Sequence, residues 1–184
     1  MISLVGMPGS GKSTVGRHVA RQVGLPFIDT DQVIEQRIGC SIRDYFETQG
    51  EATFRDVEQA VIEEVTHSEA RVVATGGGAV LREVNRMALR ERTTVVYLRS
   101  TPEDLARRLR HDTHRPLLQQ GGGADPLRRL RTLFQERDPL YRRTAHFVIE
   151  TGRPSVHALV NMVLMQLELA GLVPPAGDPG VPHP

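Results

Sequence analysis

Gly6-Met7-Pro8-Gly9-Ser10-Gly11-Lys12-Ser13 stands between the apolar run Ile2 to Val5 and a stretch that carries Val15, Val19 and Val23 at i, i+4 and i+8. The spacing is G-x-x-x-x-G-K-[ST], and its place after a strand and before a helix is the one a phosphate-binding loop requires. Glycines let the backbone turn its N–H groups inward around phosphate oxygens, at the positive end of the helix. This reading assigns Gly9, Ser10, Gly11, Lys12, Ser13 and Thr14 to a nucleotide, with Lys12 on the β- and γ-phosphates and Ser13 in the shell of one Mg²⁺. Lys12 is also the only lysine among 23 basic residues, the other 22 being arginines. A coding bias explains the arginines; a site that needs a compact ammonium explains the exception.

Outward from the loop, apolar runs alternate with helical patterns. Phe27-Ile28 forms a second strand that ends at Asp29, Val72 to Ala74 a third, Val95 to Leu98 a fourth and Phe147 to Ile149 a fifth. Ser41 with Asp44 opens a short helix that stops near Gly50, and a longer one runs from Glu51 to about His67 with Phe54, Val57, Val61 and Val65 on one face. Thr101-Pro102-Glu103-Asp104 is a helix start, and Ser155 caps a last helix to about Ala170. Such alternation predicts an α/β fold, a parallel sheet with helices on both faces and ligands at the carboxyl ends of the strands. One domain is expected over 1–171, and a disordered Pro/Gly-rich tail over 172–184. A net charge of +1 speaks against a nucleic-acid binder, and no apolar run is long enough for a bilayer. The lone Cys40 and the absence of a signal peptide point to the cytoplasm.

The loop binds a nucleotide but does not choose a reaction. Asp29-Thr30-Asp31 leaves the second strand at the functional edge. Its two carboxylates can divide labour, one facing Mg²⁺ through water and one facing an acceptor hydroxyl, or they can form an ordinary polar turn with Asp as a helix cap. Arg55 follows Phe54 on a helix and is either a ligand group or a solvated charge. Gly76-Gly77-Gly78 directly after a strand lets the backbone approach a ligand closely. Arg115, in the Gly- and Gln-rich stretch around 111–125, suits a mobile lid over the phosphates. Pro139-Leu140-Tyr141-Arg142-Arg143 adds paired arginines able to grip a carboxylate bidentately.

In this order the loop, Asp29-Thr30-Asp31, Gly50-Glu51 with Phe54-Arg55, Gly76 to Val80, Arg115 to Leu118 and Pro139 to Arg143 resemble the shikimate kinase family, from the first strand to about Arg153. The resemblance implies a five-stranded parallel sheet in order 2-3-1-4-5. It also implies transfer of the γ-phosphoryl group of ATP to the 3-hydroxyl of shikimate, within aromatic amino acid biosynthesis, by a monomer. It places Asp31 on the acceptor hydroxyls as candidate base, Arg55 and Arg142 on the shikimate carboxylate, and Gly76, Gly77 and Gly78 as backbone contacts. Lys12 and Arg115 then act at the phosphates, Ser13 and Asp29 at the metal, and Arg108 and Arg153 near adenine. A kinase for another hydroxy acid such as gluconate, and a binding module that has lost catalysis, are the alternatives. A GTPase is not, because the guanine-reading N-K-x-D needs a second lysine.

Overall fold

The computed structural model describes residues 1–109 and 125–174. Its strands are β1 (Ile2–Val5), β2 (Phe27–Asp29), β3 (Val72–Ala74), β4 (Thr94–Arg99) and β5 (Phe147–Glu150). The helices are α1 (Lys12–Val23), α2 (Thr30–Ile38), α3 (Ile42–Gln49), α4 (Glu51–Thr66), α5 (Glu83–Arg92), α6 (Pro102–Leu109), α7 (Pro126–Thr144) and α8 (Val156–Leu169). The sheet order is β2-β3-β1-β4-β5 and every pairing is parallel. Both the order and the α/β class are those expected.

The centre of the sheet is buried on both faces, so β3 reads as an unbroken apolar run and β1 departs from one only at buried Ser3, whose hydroxyl pairs with that of Thr93. Along β1 and β4 the pleat sends successive side chains to opposite layers. Leu4, Val96 and Leu98 pack with Val15, Val19, Leu159 and Val163 of α1 and α8. Val5, Val95 and Tyr97 pack on the other side with Leu89, Leu105, Leu130 and Tyr141. Each fully buried Val or Leu contributes about 1.5–3 kcal/mol of transfer free energy, which is what holds the layers to the sheet. A third cluster of Ile34, Phe54, Val61 and Val73 seats α2 and α4 beside β3.

Two further contacts matter for what α7 carries. The Arg90 guanidinium donates to the carbonyls of Arg143, Thr144 and Ala145 at 3.3, 3.4 and 2.9 Å, capping the end of α7. His146 Nδ1 accepts the Val95 N–H at 3.0 Å, tying the chain that leaves α7 to β4. The predicted tail lies outside the described residues from 175 onward, and the predicted lid does so over 111–124. No helix among the described residues is long and apolar enough to cross a membrane.

Candidate active site

The chain leaves β1 at Val5 and enters α1 through Gly11, whose φ of +91° lies in the left-handed region. That conformation suits glycine and strains any residue with a Cβ. No side chain caps α1, so its first N–H groups remain available to an anion. Lys12 is buried and curls back over the loop, donating to the Gly6 and Met7 carbonyls at 2.9 Å each. The Ser13 hydroxyl donates to Asp29 Oδ2 at 2.5 Å, while Asp29 Oδ1 accepts the Asp31 N–H at 3.0 Å. Asp29 is therefore both the N-cap of α2 and the partner of the loop serine, so the two readings of Asp29-Thr30-Asp31 are compatible. Ser13 and Asp29 form an all-oxygen donor pair, the chemistry a hard divalent ion prefers.

A cleft of about 390 Å³ runs from loop residues 8–14 to Asp29, Asp31, Thr75 and Gly77. Burial pushes the Asp31 carboxyl up to about 6, with a further push from Asp29, against the pull of Lys12. The glycine turn after β3 forms one wall, and each of its residues makes room for a different neighbour. A Cβ on Gly76 would stand 2.5 Å from Asp31 Oδ1, one on Gly77 2.6 Å from Pro8 Cδ, and one on Gly78 2.2 Å from Arg55 Nη1. Side chains here would separate the base candidate, the phosphate loop and the arginine. The Gly76 N–H donates to Thr30 Oγ1 at 3.1 Å, so of the three glycines expected as backbone contacts Gly76 has its amide committed within the chain.

Arg55 lies over the rings of Phe46 and Phe54, its carbon 5.7 and 5.2 Å from their centroids. It donates to Glu58 Oε1 at 2.7 Å and to the exposed Glu51 at 3.3 Å. Glu58 is fully buried; burial raises its pKa while the attraction and hydrogen bond of Arg55, and the charge of Arg137, oppose that rise. Arg137 also acts on the buried Tyr141 hydroxyl. Among the described residues, Arg55 Nε and Arg137 Nε are the buried side-chain nitrogens and oxygens that lack a hydrogen-bond partner. An unsatisfied donor on a cation is costly to bury, commonly more than about 1–3 kcal/mol. Both unpartnered donors sit on cations, so an anionic acceptor is the group that would satisfy them.

A family model for shikimate kinase matches residues 8–168. The shikimate kinase of Paracidovorax citrulli is 61% identical over 95% of this chain and 96% of its own, and that of Ralstonia nicotianae 58% over 96% and 92%. The solved shikimate kinase of Acinetobacter baumannii in complex with shikimate superposes with a TM-score of 0.83 at 44% identity, covering 92% of this chain and 93% of its own. That of Bacteroides thetaiotaomicron gives 0.84 at 32%, covering 93% and 98%. This chain belongs to the shikimate kinase family.

The residues to which the shikimate kinase resemblance lent a role are not all brought together, and Arg142 stands apart from the Arg55–Glu58 cluster. Its Nε pairs with Asp138 at 2.8 Å and its side chain is half exposed, whereas Arg137 is the arginine of α7 beside Glu58. Five residues are about 140° around a helix, so the two arginines leave α7 on different faces. Arg137 and Glu58 are the candidate site residues that sequence reasoning missed. The available signal was helical phase: Leu130, Phe134, Arg137 and Tyr141 fall at i, i+4, i+7 and i+11, the inward stripe of α7. Arg108 bonds the Thr151 carbonyl and reaches Ser100 Oγ at 3.5 Å, at the carboxyl ends of β4 and β5. Arg153 lies exposed in the turn that follows β5. Arg115, assigned to the phosphates, lies outside the described residues.

Proposed function

We infer that this chain phosphorylates shikimate at its 3-hydroxyl with ATP, giving shikimate 3-phosphate and ADP for aromatic amino acid biosynthesis. The observation that carries this reading is the pair of buried, unpartnered guanidinium nitrogens of Arg55 and Arg137, with Arg55 across the glycine turn from the phosphate loop. Shikimate brings one carboxylate and several hydroxyls. The carboxylate supplies the acceptors that Arg55 and Arg137 lack, and Glu58 keeps the two cations from repelling each other. The hydroxyls turn toward Asp31 and the free glycine amides. Asp31 orients the attacking hydroxyl and takes its proton, a role worth about 10²–10⁴ in rate. In a loose transition state the proton leaves late, so orientation is the larger part.

On the donor side Lys12 exchanges the Gly6 and Met7 carbonyls for the β- and γ-phosphates, and the α1 amides hold the phosphate oxygens. Ser13 and Asp29, the latter through water, would hold one Mg²⁺, which supplies charge neutralisation on the phosphates. Arg115 joins Lys12 at the transferring group, an assignment that rests on its motif, and Arg108 and Arg153 border the adenine. The same reading has the chain acting as a monomer in the cytoplasm, where ATP is supplied. A coupled assay offering ATP and Mg²⁺ with shikimate, quinate or gluconate in separate reactions tests the reading. ADP release with shikimate is the expected result; turnover of gluconate with none of shikimate would overturn it.

A further inference from the structure

The glycine turn has no side chains of its own with which to hold its shape, yet it sets the distance between Asp31, the phosphate loop and Arg55. Its own backbone bonds, Ala79 N–H to the Gly76 carbonyl and Leu81 N–H to the Gly78 carbonyl at 3.1 Å each, leave the Gly77 peptide to be fixed from outside. One anchor is Thr30, whose hydroxyl takes the Gly76 N–H. The other comes from the opposite side of the site. Tyr141 of α7 is fully buried, and its hydroxyl donates to the Gly77 carbonyl at 2.5 Å across 64 residues of sequence.

We propose that Tyr141 is a positioning residue for the acceptor: its hydroxyl locks the Gly77–Gly78 peptide and, through α7, holds Arg137 in register with Arg55. In a trans peptide the C=O and N–H point in opposite directions. A donor on the Gly77 oxygen therefore sets the direction of the Gly78 N–H, one of the two amides left for the acceptor. The same hydroxyl lies under the influence of Arg137, one helical turn earlier on the same face of α7. Burial pushes the phenol up to about 12, so it remains a proton donor at every working pH. The ring itself also packs against that of Tyr97, tilted by 32° with centroids 4.9 Å apart. Tyr97 donates its own hydroxyl to Asp138 at 2.8 Å rather than to the glycine turn.

That difference supplies the control. Tyr141→Phe and Tyr97→Phe each delete one buried hydroxyl from the same ring pair, and both keep the packing. The proposal rests on the shikimate kinase reading, so wild-type protein is assayed alongside; no turnover of shikimate by wild type would sink that reading rather than this one. With wild type active, Tyr141→Phe is expected to raise the acceptor KM about tenfold and lower kcat several-fold, with the KM for ATP unchanged. Hydrogen exchange of the amides in residues 76–81 is expected to quicken in Tyr141→Phe alone, a readout that needs no turnover. Tyr97→Phe is expected to lose thermal stability while its acceptor KM stays within about twofold. The proposal is overturned if Tyr141→Phe keeps its acceptor KM within twofold and its exchange pattern, or if Tyr97→Phe shows the same KM shift.

Discussion

The phosphate loop and the proposed acceptor pocket meet at Asp31 and Gly77 but are assembled differently. The loop is a single run of residues, 6–13, whose geometry comes from its own glycines and from the start of α1. The pocket draws Asp31 from α2, Arg55 and Glu58 from α4, the glycine turn from the end of β3, and Arg137 from α7. A contiguous device can be carried from fold to fold with its function intact. A dispersed one depends on how layers pack, so its specificity is sensitive to changes far from any ligand.

The sharpest way to break this contrast is at Lys12. Lys12→Ala is expected to lower kcat/KM by at least about 10³, because it removes the loop's charge from the transferring group. Thermal melts should stay near wild type. A loss below tenfold would mean that the loop is not where the transition-state charge is met. Next comes Asp31→Asn, which keeps size and removes charge. Its kcat should fall about 10²–10⁴, and ATP binding measured by titration should survive. Near-normal kcat would remove Asp31 from the chemistry.

The third test divides the arginines. Arg55→Ala and Arg137→Ala should each raise the acceptor KM by about 30-fold to several thousand-fold, the range for breaking a desolvated ion pair, with kcat less affected because the carboxylate carries the same charge throughout. Arg142→Ala, whose pair with Asp138 is half exposed, should change that KM by less than about fivefold. If the Arg142 and Arg137 variants exchanged these outcomes, the carboxylate clamp would belong to the other face of α7. The fourth test is the smallest, and it compares two glycines. Gly11→Ala meets no atom within 4 Å but must adopt φ +91°, a strain of about 1–2 kcal/mol that should weaken ATP binding alone. Gly78→Ala meets the Arg55 guanidinium, the far end of a flexible side chain, so Arg55 moves and the acceptor KM should rise about tenfold while ATP binding holds. Equal effects of both changes on both ligands would merge the two regions into one.

The same contrast governs what could be read without coordinates. The loop was legible because each of its requirements is local: a strand before, a helix after, glycines and one lysine between. The strands and the starts of α3, α6 and α8 were legible for the same reason, their caps being Ser41, Thr101 and Ser155. Strand order came from resemblance, since no spacing states which strand lies beside β1. Arg137 was hidden by composition. Among 22 arginines a charge carries little information, and the Arg142-Arg143 pair drew notice by adjacency, whereas the face of α7 is settled by packing. Glu58 reads as an ordinary i,i+3 partner of Arg55; only the glycine turn closing over it makes it a buried charge.

A protease that cleaves after lysine has one bond to cut in all 184 residues, Lys12–Ser13. That bond joins the first two residues of α1, inside the phosphate loop, with Lys12 only 8% exposed. Digestion would therefore split the chain into two fragments, and the time course would count how often the phosphate loop comes undone. Saturating ATP should slow that clock, and an acceptor alone should leave it running.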